Sequence, residues 1–308
     1  MKTKIIIQAF SVLSIKLLII TLFPGCADKI LTCTASAQKP GIVFQEDFES
    51  ASKEAMLLKW DDTNNPEGMS FSSETPPGSK GKKSLMMTYS PGQNTGGYLF
   101  KMFPKGFDTL YARFYVKFIT NFSKVHHFVA MGGYNPPSKW SIGRAGIRPL
   151  GNEKFNTCIE PGGDWTWDFY TYWMRMHGYQ DPNFFWGNSF NPDPPAKIVH
   201  GEWICVEIMI ILNNPVRESN GEQAFWINGK EIIHLGRGFP SGYWQWDKFI
   251  PSEGKGWFEG FQWRNTDELK LNFFKLSYYM TMGKPGEIDK VLFDDVIVST
   301  KYIGPIIP

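Results

Sequence analysis

Three short segments hold side chains that could act together on an acidic sugar. In Lys124-Val125-His126-His127-Phe128, extended backbone would put Lys124 and His126 on one face and Val125 and His127 on the other. Arg144 and Arg148 share a face of the segment Ser141-Ile142-Gly143-Arg144-Ala145-Gly146-Ile147-Arg148. Tyr170 and Tyr172 share a face of Phe169-Tyr170-Thr171-Tyr172-Trp173. If those faces coincide, one surface offers a lysine, a histidine, two arginines and two phenols. That set suits β-elimination on a uronic acid polymer. A cation neutralises the sugar carboxylate and so acidifies the adjacent C–H. A Tyr, His or Lys takes that proton, and a Tyr or water protonates the departing glycosidic oxygen.

Each piece also has a plainer reading. A Tyr pair on a strand is ordinary cross-strand packing, a lone Arg is usually solvated, and His126-His127 serves a structural role as readily as a chemical one. Trp165, Trp167, Phe184, Phe185 and Trp186 lie in a region rich in Gly, Pro and Asn. Flat rings there could stack on sugars or could anchor loops. Glu46-Asp47 and Asp294-Asp295 could share a calcium ion or could be solvated turn residues; no other cofactor and no catalytic metal is expected. A glycoside hydrolase would need two facing carboxylates. Glu160, Asp164 and Asp168 are available, but no Glu-x-Asp-x-x-Glu arrangement is present on one strand. P-loop, GxSxG, HExxH and EF-hand patterns are absent.

The elements that must position these residues read as strands. β-Branched and aromatic runs recur between Gly, Pro and Asn: 41–48, 84–89, 109–119, 126–131, 168–176, 203–212, 224–227, 269–279 and 291–299. In Tyr111–Phe118, Tyr111, Arg113, Tyr115 and Lys117 alternate with Ala112, Phe114, Val116 and Phe118. Asn228-Gly229 is a hairpin turn. The one helical candidate, residues 50–60, would bury Ala55, Leu58 and Met56 over an open end of the sheets. Many strands at short spacing predict an all-β domain of two curved antiparallel sheets packed face to face.

The chain has 308 residues, 42% of them apolar and 16% aromatic, enough to fill a thick core. Lys2 and Lys4 precede an apolar run from Ile5 to Phe23, which reads as an export signal. Leu22-Phe23-Pro24-Gly25-Cys26 resembles a bacterial lipoprotein box, and Ala35-Ser36-Ala37 offers ordinary signal cleavage instead. The expectation is a leader and tether over 1–37 and one exported domain over 38–308, touching a membrane only through the leader or a lipid. Losing four lysines and one aspartate with that leader takes the formal charge from +2 to −1. No basic stripe favours nucleic acid, so an acidic ligand must be met by locally placed cations. Cys158 and Cys205 could form a disulfide outside the cytoplasm or stay as buried thiols on separate strands.

Lys124, Met131-Gly132-Gly133, Trp140-Ser141 with Arg144, Arg148 and Gly151, then Tyr170-x-Tyr172, together resemble the core of the family 14 polysaccharide lyases. Phe293-Asp294-Asp295-Val296 near Tyr302-Ile303-Gly304-Pro305 also looks like that group. The resemblance spans about residues 105–305 and implies a concanavalin A-like β-jelly roll acting on alginate or glucuronan. In that family a Lys, a Ser-x-Arg strand and a Tyr-x-Tyr strand line the cleft, and Lys124, Arg144, Tyr170 and Tyr172 match. Two departures stand out. Ser141 precedes Arg144 by three residues rather than two, and the glycine-rich stretch around the family Lys is replaced by Asn121-Phe122-Ser123 before it and Val125-His126-His127 after it. The expected enzyme is a monomeric lyase with catalytic Tyr172, Tyr170, Lys124, His126 and Arg144, and with Arg148, Ser141, His127 and Trp186 holding an acidic polysaccharide. The alternative is a non-catalytic carbohydrate-binding jelly roll using the same groove.

Overall fold

The computed structural model describes residues 41–140, 145–181 and 184–307; the proposed leader, Ser141 and Arg144 lie outside them. In chain order the strands are β1 (Ile42–Glu46), β2 (Asp62–Asn64), β3 (Met69–Ser72), β4 (Ser84–Tyr89), β5 (Gly96–Phe107) and β6 (Thr109–Phe118). Next come β7 (Val129–Tyr134), β8 (Lys154–Pro161), β9 (Trp167–Tyr172), β10 (Asn188–Phe190), β11 (Ile204–Ile211) and β12 (Glu222–Ile227). The last are β13 (Lys230–Leu235), β14 (Ser241–Gln245), β15 (Lys248–Pro251), β16 (Gly256–Trp257), β17 (Leu271–Tyr279) and β18 (Asp289–Ser299). The expected all-β class holds. One sheet has eight strands, in the order β13-β12-β11-β6-β18-β4-β3 with β1 on β18, and the other has ten, β16-β14-β15-β10-β9-β8-β7-β17-β5-β2.

The two sheets exist because their strands alternate. On β6, Leu110, Ala112, Phe114, Val116 and Phe118 point inward and are fully buried, as the period of two requires. They meet Phe128, Phe155, Trp167, Phe169 and Phe274 from the ten-stranded sheet in one core. Edge-to-face ring pairs such as Phe169–Phe225, at 5.1 Å and 87°, join the layers. The outward residues of β6 are not all solvated. Glu207 of β11 accepts the Ile303 and Gly304 amides, and Tyr115 accepts that of Ile306. The C-terminal segment is thereby strapped over the outer face, leaving Arg113 only 4% exposed.

One sequence expectation changes and one open alternative is decided. The helix is a short one, α1 (Lys53–Leu57), capped by Ser52 Oγ accepting the Ala55 amide. It buries Met56, with Trp60 just beyond it, while Leu58 is 87% exposed and Ala55 is exposed as well. A single helical turn has room for one inward side chain, so the wider apolar stripe does not form. Cys158 and Cys205 are free thiols on different sheets, β8 and β11, and no disulfide joins them. Among the described residues no helix is long and apolar enough to cross a membrane.

Candidate active site

Strand register sets out a grid on the outer face of the ten-stranded sheet. Tyr172 pairs with Asn156, Asn156 with Gly132, and Gly132 with Phe273, across β9, β8, β7 and β17. One step along, Tyr170 pairs with Cys158, Cys158 with Ala130, and Ala130 with Lys275. Beyond the first row stands Lys154 beside Tyr134. Paired positions in neighbouring strands project their side chains to the same face. The result is a pocket of about 220 Å³ lined by His127, Lys154, Asn156, Tyr170, Tyr172 and Lys275, among others.

The layer beneath holds this grid in place. Thr157 and Thr171, the inward neighbours of the grid residues, share a 2.7 Å hydroxyl contact. Gln223 of the opposite sheet bonds Thr171 from below at 3.3 Å. All three side chains are fully buried, so slipping β8 against β9 would strand polar groups in the core. From above, the backbone crosses the Tyr170 ring at Gly187, where an added Cβ would come within 2.6 Å of the phenol carbons. Burial, together with the hydrogen bond to Tyr172, pushes the Tyr170 phenol well above its ordinary range. Tyr170 therefore keeps its proton at neutral pH and is built to donate.

His127 enters the pocket by a local irregularity. The amides of His126 and His127 both bond the carbonyl of Tyr279, at 2.8 and 3.1 Å, so two residues oppose one and the alternation slips. His127 Nδ1 then lies 2.8 Å from Glu160 Oε1, and its ring packs against Tyr170 and Tyr279. His126 is exposed outside the pocket lining, with its ring 4.3 Å from that of His127. Burial and the neighbouring His127 both lower its pKa. His127 rather than the expected His126 therefore lines the pocket.

The remaining sequence candidates divide. Tyr170 and Tyr172 meet in the pocket as expected, their rings 5.7 Å apart. Lys124 does not join them: it is exposed, and its ammonium faces Gly163 in the β8–β9 turn. Arg148 is exposed on an irregular segment rather than a strand, with its guanidinium 4.9 Å from the Phe185 ring centre. Trp186 is half exposed and stacks on Phe184, 4° from parallel, at the residue preceding Gly187. Trp167 is a core residue, and Trp165 packs on Phe118 and His200.

Sequence reasoning missed Lys154, Asn156 and Lys275. The strand beside Tyr-x-Tyr carries Asn156-x-Cys158, and the Ser141–Arg144 segment compared with the family's Ser-x-Arg strand lies outside the described residues. Among the described residues the cations lining the pocket are Lys154 and Lys275, each with its pKa lowered chiefly by burial; the Cys158 and Asp62 charges oppose that shift at Lys275. Lys275 Nζ sits 4.3 Å from the Tyr98 ring centre. The signal available was a polar residue at every second position of Lys154-Phe155-Asn156-Thr157-Cys158-Ile159-Glu160, and one lysine within Leu271–Tyr279. Glu160 and Asp168 are register partners, and burial pushes the Asp168 carboxyl up to about 7. Asp168 Oδ1 accepts the Phe190 amide of β10 and Glu160 is held by His127, so neither carboxylate is left free to face a sugar. Asp164 bonds Thr166 and Lys197 in the turn.

A second acidic cluster lies elsewhere. Asp47, Glu49 and Asp295 line a cleft beside Asp294, while Glu46 turns away to Lys59 at 2.8 Å. Asp294 is 1% exposed, and its Oδ2 has no hydrogen-bond partner, nor has Asp295 Oδ2. Burial, then Asp295, Glu49 and Asp47, push the Asp294 carboxyl up to about 8. Orphaned carboxylate oxygens gathered this way fit a hard divalent cation such as calcium.

No family model matches the sequence, and no curated protein matches it. Solved structures do. The alginate lyase vAL-1 from Chlorella virus superposes with TM-score 0.56 at 14% identity, over 85% of this chain and 100% of that one. Alginate lyase Aly36B gives TM-score 0.56 at 12% identity, over 84% and 97%. The marine PL-14 alginate lyase from Aplysia kurodai gives 0.54 at 12%, over 86% and 99%. At these identities the likeness is one of architecture: the chain is an all-β jelly roll with the fold of these alginate lyases.

Proposed function

We propose that this protein is a polysaccharide lyase that cleaves a uronic-acid-containing polymer by β-elimination. The observation that carries the reading is the convergence of Lys154, Asn156, Lys275, His127, Tyr170 and Tyr172 on one open pocket. Lys154 and Lys275 would neutralise the sugar carboxylate, aided by the Asn156 amide, and so acidify the adjacent C–H. His127 would be the base. Its Nδ1–H donates to Glu160, which leaves the Nε2 lone pair for the proton. The electrons of that C–H bond form the ring double bond as the C–O bond one carbon further breaks. The hydrogen-bonded Tyr170–Tyr172 pair would hand a proton to the departing oxygen. A variant of the fold neighbour Aly36B has been crystallised with an alginate trisaccharide, which makes alginate the first substrate to try. A calcium ion among Asp47, Glu49, Asp294 and Asp295 would serve stability alone, since those residues do not line the pocket.

The test is to incubate purified protein with alginate, glucuronan and other polyuronates and to monitor the ultraviolet absorbance of the unsaturated product. Absorbance growth with chain shortening is expected, and none from any polyuronate overturns the reading. The exposed Phe184–Trp186 stack favours a second one, a glycan-binding jelly roll without catalysis. That reading predicts retention in a polymer affinity gel, no shortening, and loss of retention in Trp186→Ala.

A further inference from the structure

We propose that His127, Cys158 and Glu160 form a binding site for a thiophilic divalent transition-metal ion, zinc foremost, with its open ligand position toward the pocket. Cys158 and Glu160 stand two residues apart on β8, so both project to the outer face. His127 reaches them from the irregularity ahead of β7. A ring nitrogen of His127, the Cys158 sulfur and a Glu160 oxygen all lie within 4.8 Å of one another, and it is Nδ1 that meets Glu160. Zinc bonds of about 2.0–2.3 Å ask such atoms to stand roughly 3.3–3.7 Å apart. Side-chain rotation covers that difference: the 2.8 Å His127–Glu160 contact opens slightly and the sulfur draws in.

The donor set decides the class of ion. One imidazole nitrogen, one thiolate and one carboxylate oxygen suit zinc, cobalt or a similar ion and are poor company for calcium or magnesium. Three protein ligands with one side open leave a fourth place for water or for an incoming carboxylate. The pocket side is the open one, since His127 and Cys158 line it with Lys154 and Lys275. Asn156 Nδ2 stands 4.0 Å from Cys158 Sγ, placed to support a bound thiolate. Cys205, the other described cysteine, is buried on the opposite sheet and serves as an internal control.

Binding has a consequence that rests on the proposed elimination, although the site itself does not. An ion on His127 Nδ1 leaves the ring proton on Nε2, so the base is lost and zinc silences cleavage.

The experiment adds cobalt(II) to chelator-treated full-length protein and reads the near-ultraviolet thiolate-to-cobalt charge-transfer band. The expected result is a band that saturates at one ion per chain and is displaced by zinc but not by calcium. It disappears in Cys158→Ser and persists in Cys205→Ser. His127→Gln and Glu160→Gln, altered at the pocket rather than in the core, weaken cobalt binding at least tenfold; they decide the matter should Cys158→Ser fail to fold. Absence of the band, its survival in Cys158→Ser, or unchanged affinity in both pocket variants overturns the site. No polymer enters this measurement. A protein that binds cobalt yet cleaves no polyuronate keeps the metal site and loses the lyase reading, and the reverse result does the opposite.

Discussion

His127 Nδ1 lies 2.8 Å from Glu160 Oε1, and this contact distinguishes two adjacent histidines. His127 is oriented by a carboxylate inside the pocket, and His126 is exposed beside it. His127→Gln is therefore expected to lower kcat on the cleaved polyuronate by about 10²–10⁴-fold, the usual worth of a general base. His126→Gln should change it by less than roughly threefold, within what a surface substitution does. Glu160→Gln should fall between them, because the ring loses its orienting partner but not its place. Steady-state rates on one substrate compare all three. Equal losses at His126 and His127 would remove the assignment.

The charges of the pocket make a separate prediction. Among the described residues Lys154 and Lys275 are the cations of its lining, while Lys124 and Arg148 lie outside it. Lys154→Met and Lys275→Met keep the aliphatic stems and should each cost about 10²-fold or more in kcat/KM. Lys124→Met and Arg148→Met should stay near the parent value. Kinetics on a defined uronate oligomer reads the contrast, and full activity in both Lys154→Met and Lys275→Met would end the carboxylate-neutralising role.

These residues also mark how far the sequence could be read. The β6 alternation and the Tyr170–Tyr172 pair were legible because uninterrupted period two maps directly onto a pleated strand. His126 was assigned by the same rule, which fails at the doubled amide contact to Tyr279, where one extra residue reverses the parity of the positions after it; Lys124 precedes that contact and lies on no strand. Arg148 was placed on a strand, whereas the described residues 145–150 are irregular, with Pro149 directly after Arg148. Lys154 and Asn156 escaped notice because their functional face exists only once β7 and β9 flank β8. That register depends on contacts far apart in sequence, such as Thr171 with Gln223.

Removal of a cation tests the acidic cleft. Asp294 and Asp295 each keep a buried carboxylate oxygen without a partner. An ion bound only by the folded chain raises stability by mass action. Millimolar calcium is expected to raise Tm by several degrees, excess chelator to reverse the rise, and Asp294→Ala to abolish the response. Scanning calorimetry with and without calcium decides it. A calcium response that survives Asp294→Ala would place the ion elsewhere.

Asp168, whose carboxyl is pushed up to about 7, chiefly by burial, makes stability depend on pH. In the unfolded chain an aspartate titrates near its ordinary value of about 3.9. Between those two values the folded state holds a proton that the unfolded state has released. Stability from this group is thus fully present below about pH 4 and is lost as pH rises toward and through 7. Asp168→Asn removes the titration while keeping an oxygen for the Phe190 amide, which Asp168 Oδ1 accepts at 2.9 Å. Other groups titrate in the same window, so the informative quantity is the difference between variant and parent. Relative to the parent, the variant should gain stability from pH 5 to pH 8, by on the order of 2 kcal/mol. Urea unfolding at both pH values measures the gain. A difference that does not change with pH would mean that Asp168 is ionised throughout, with its charge met by Lys248 and the β10 backbone.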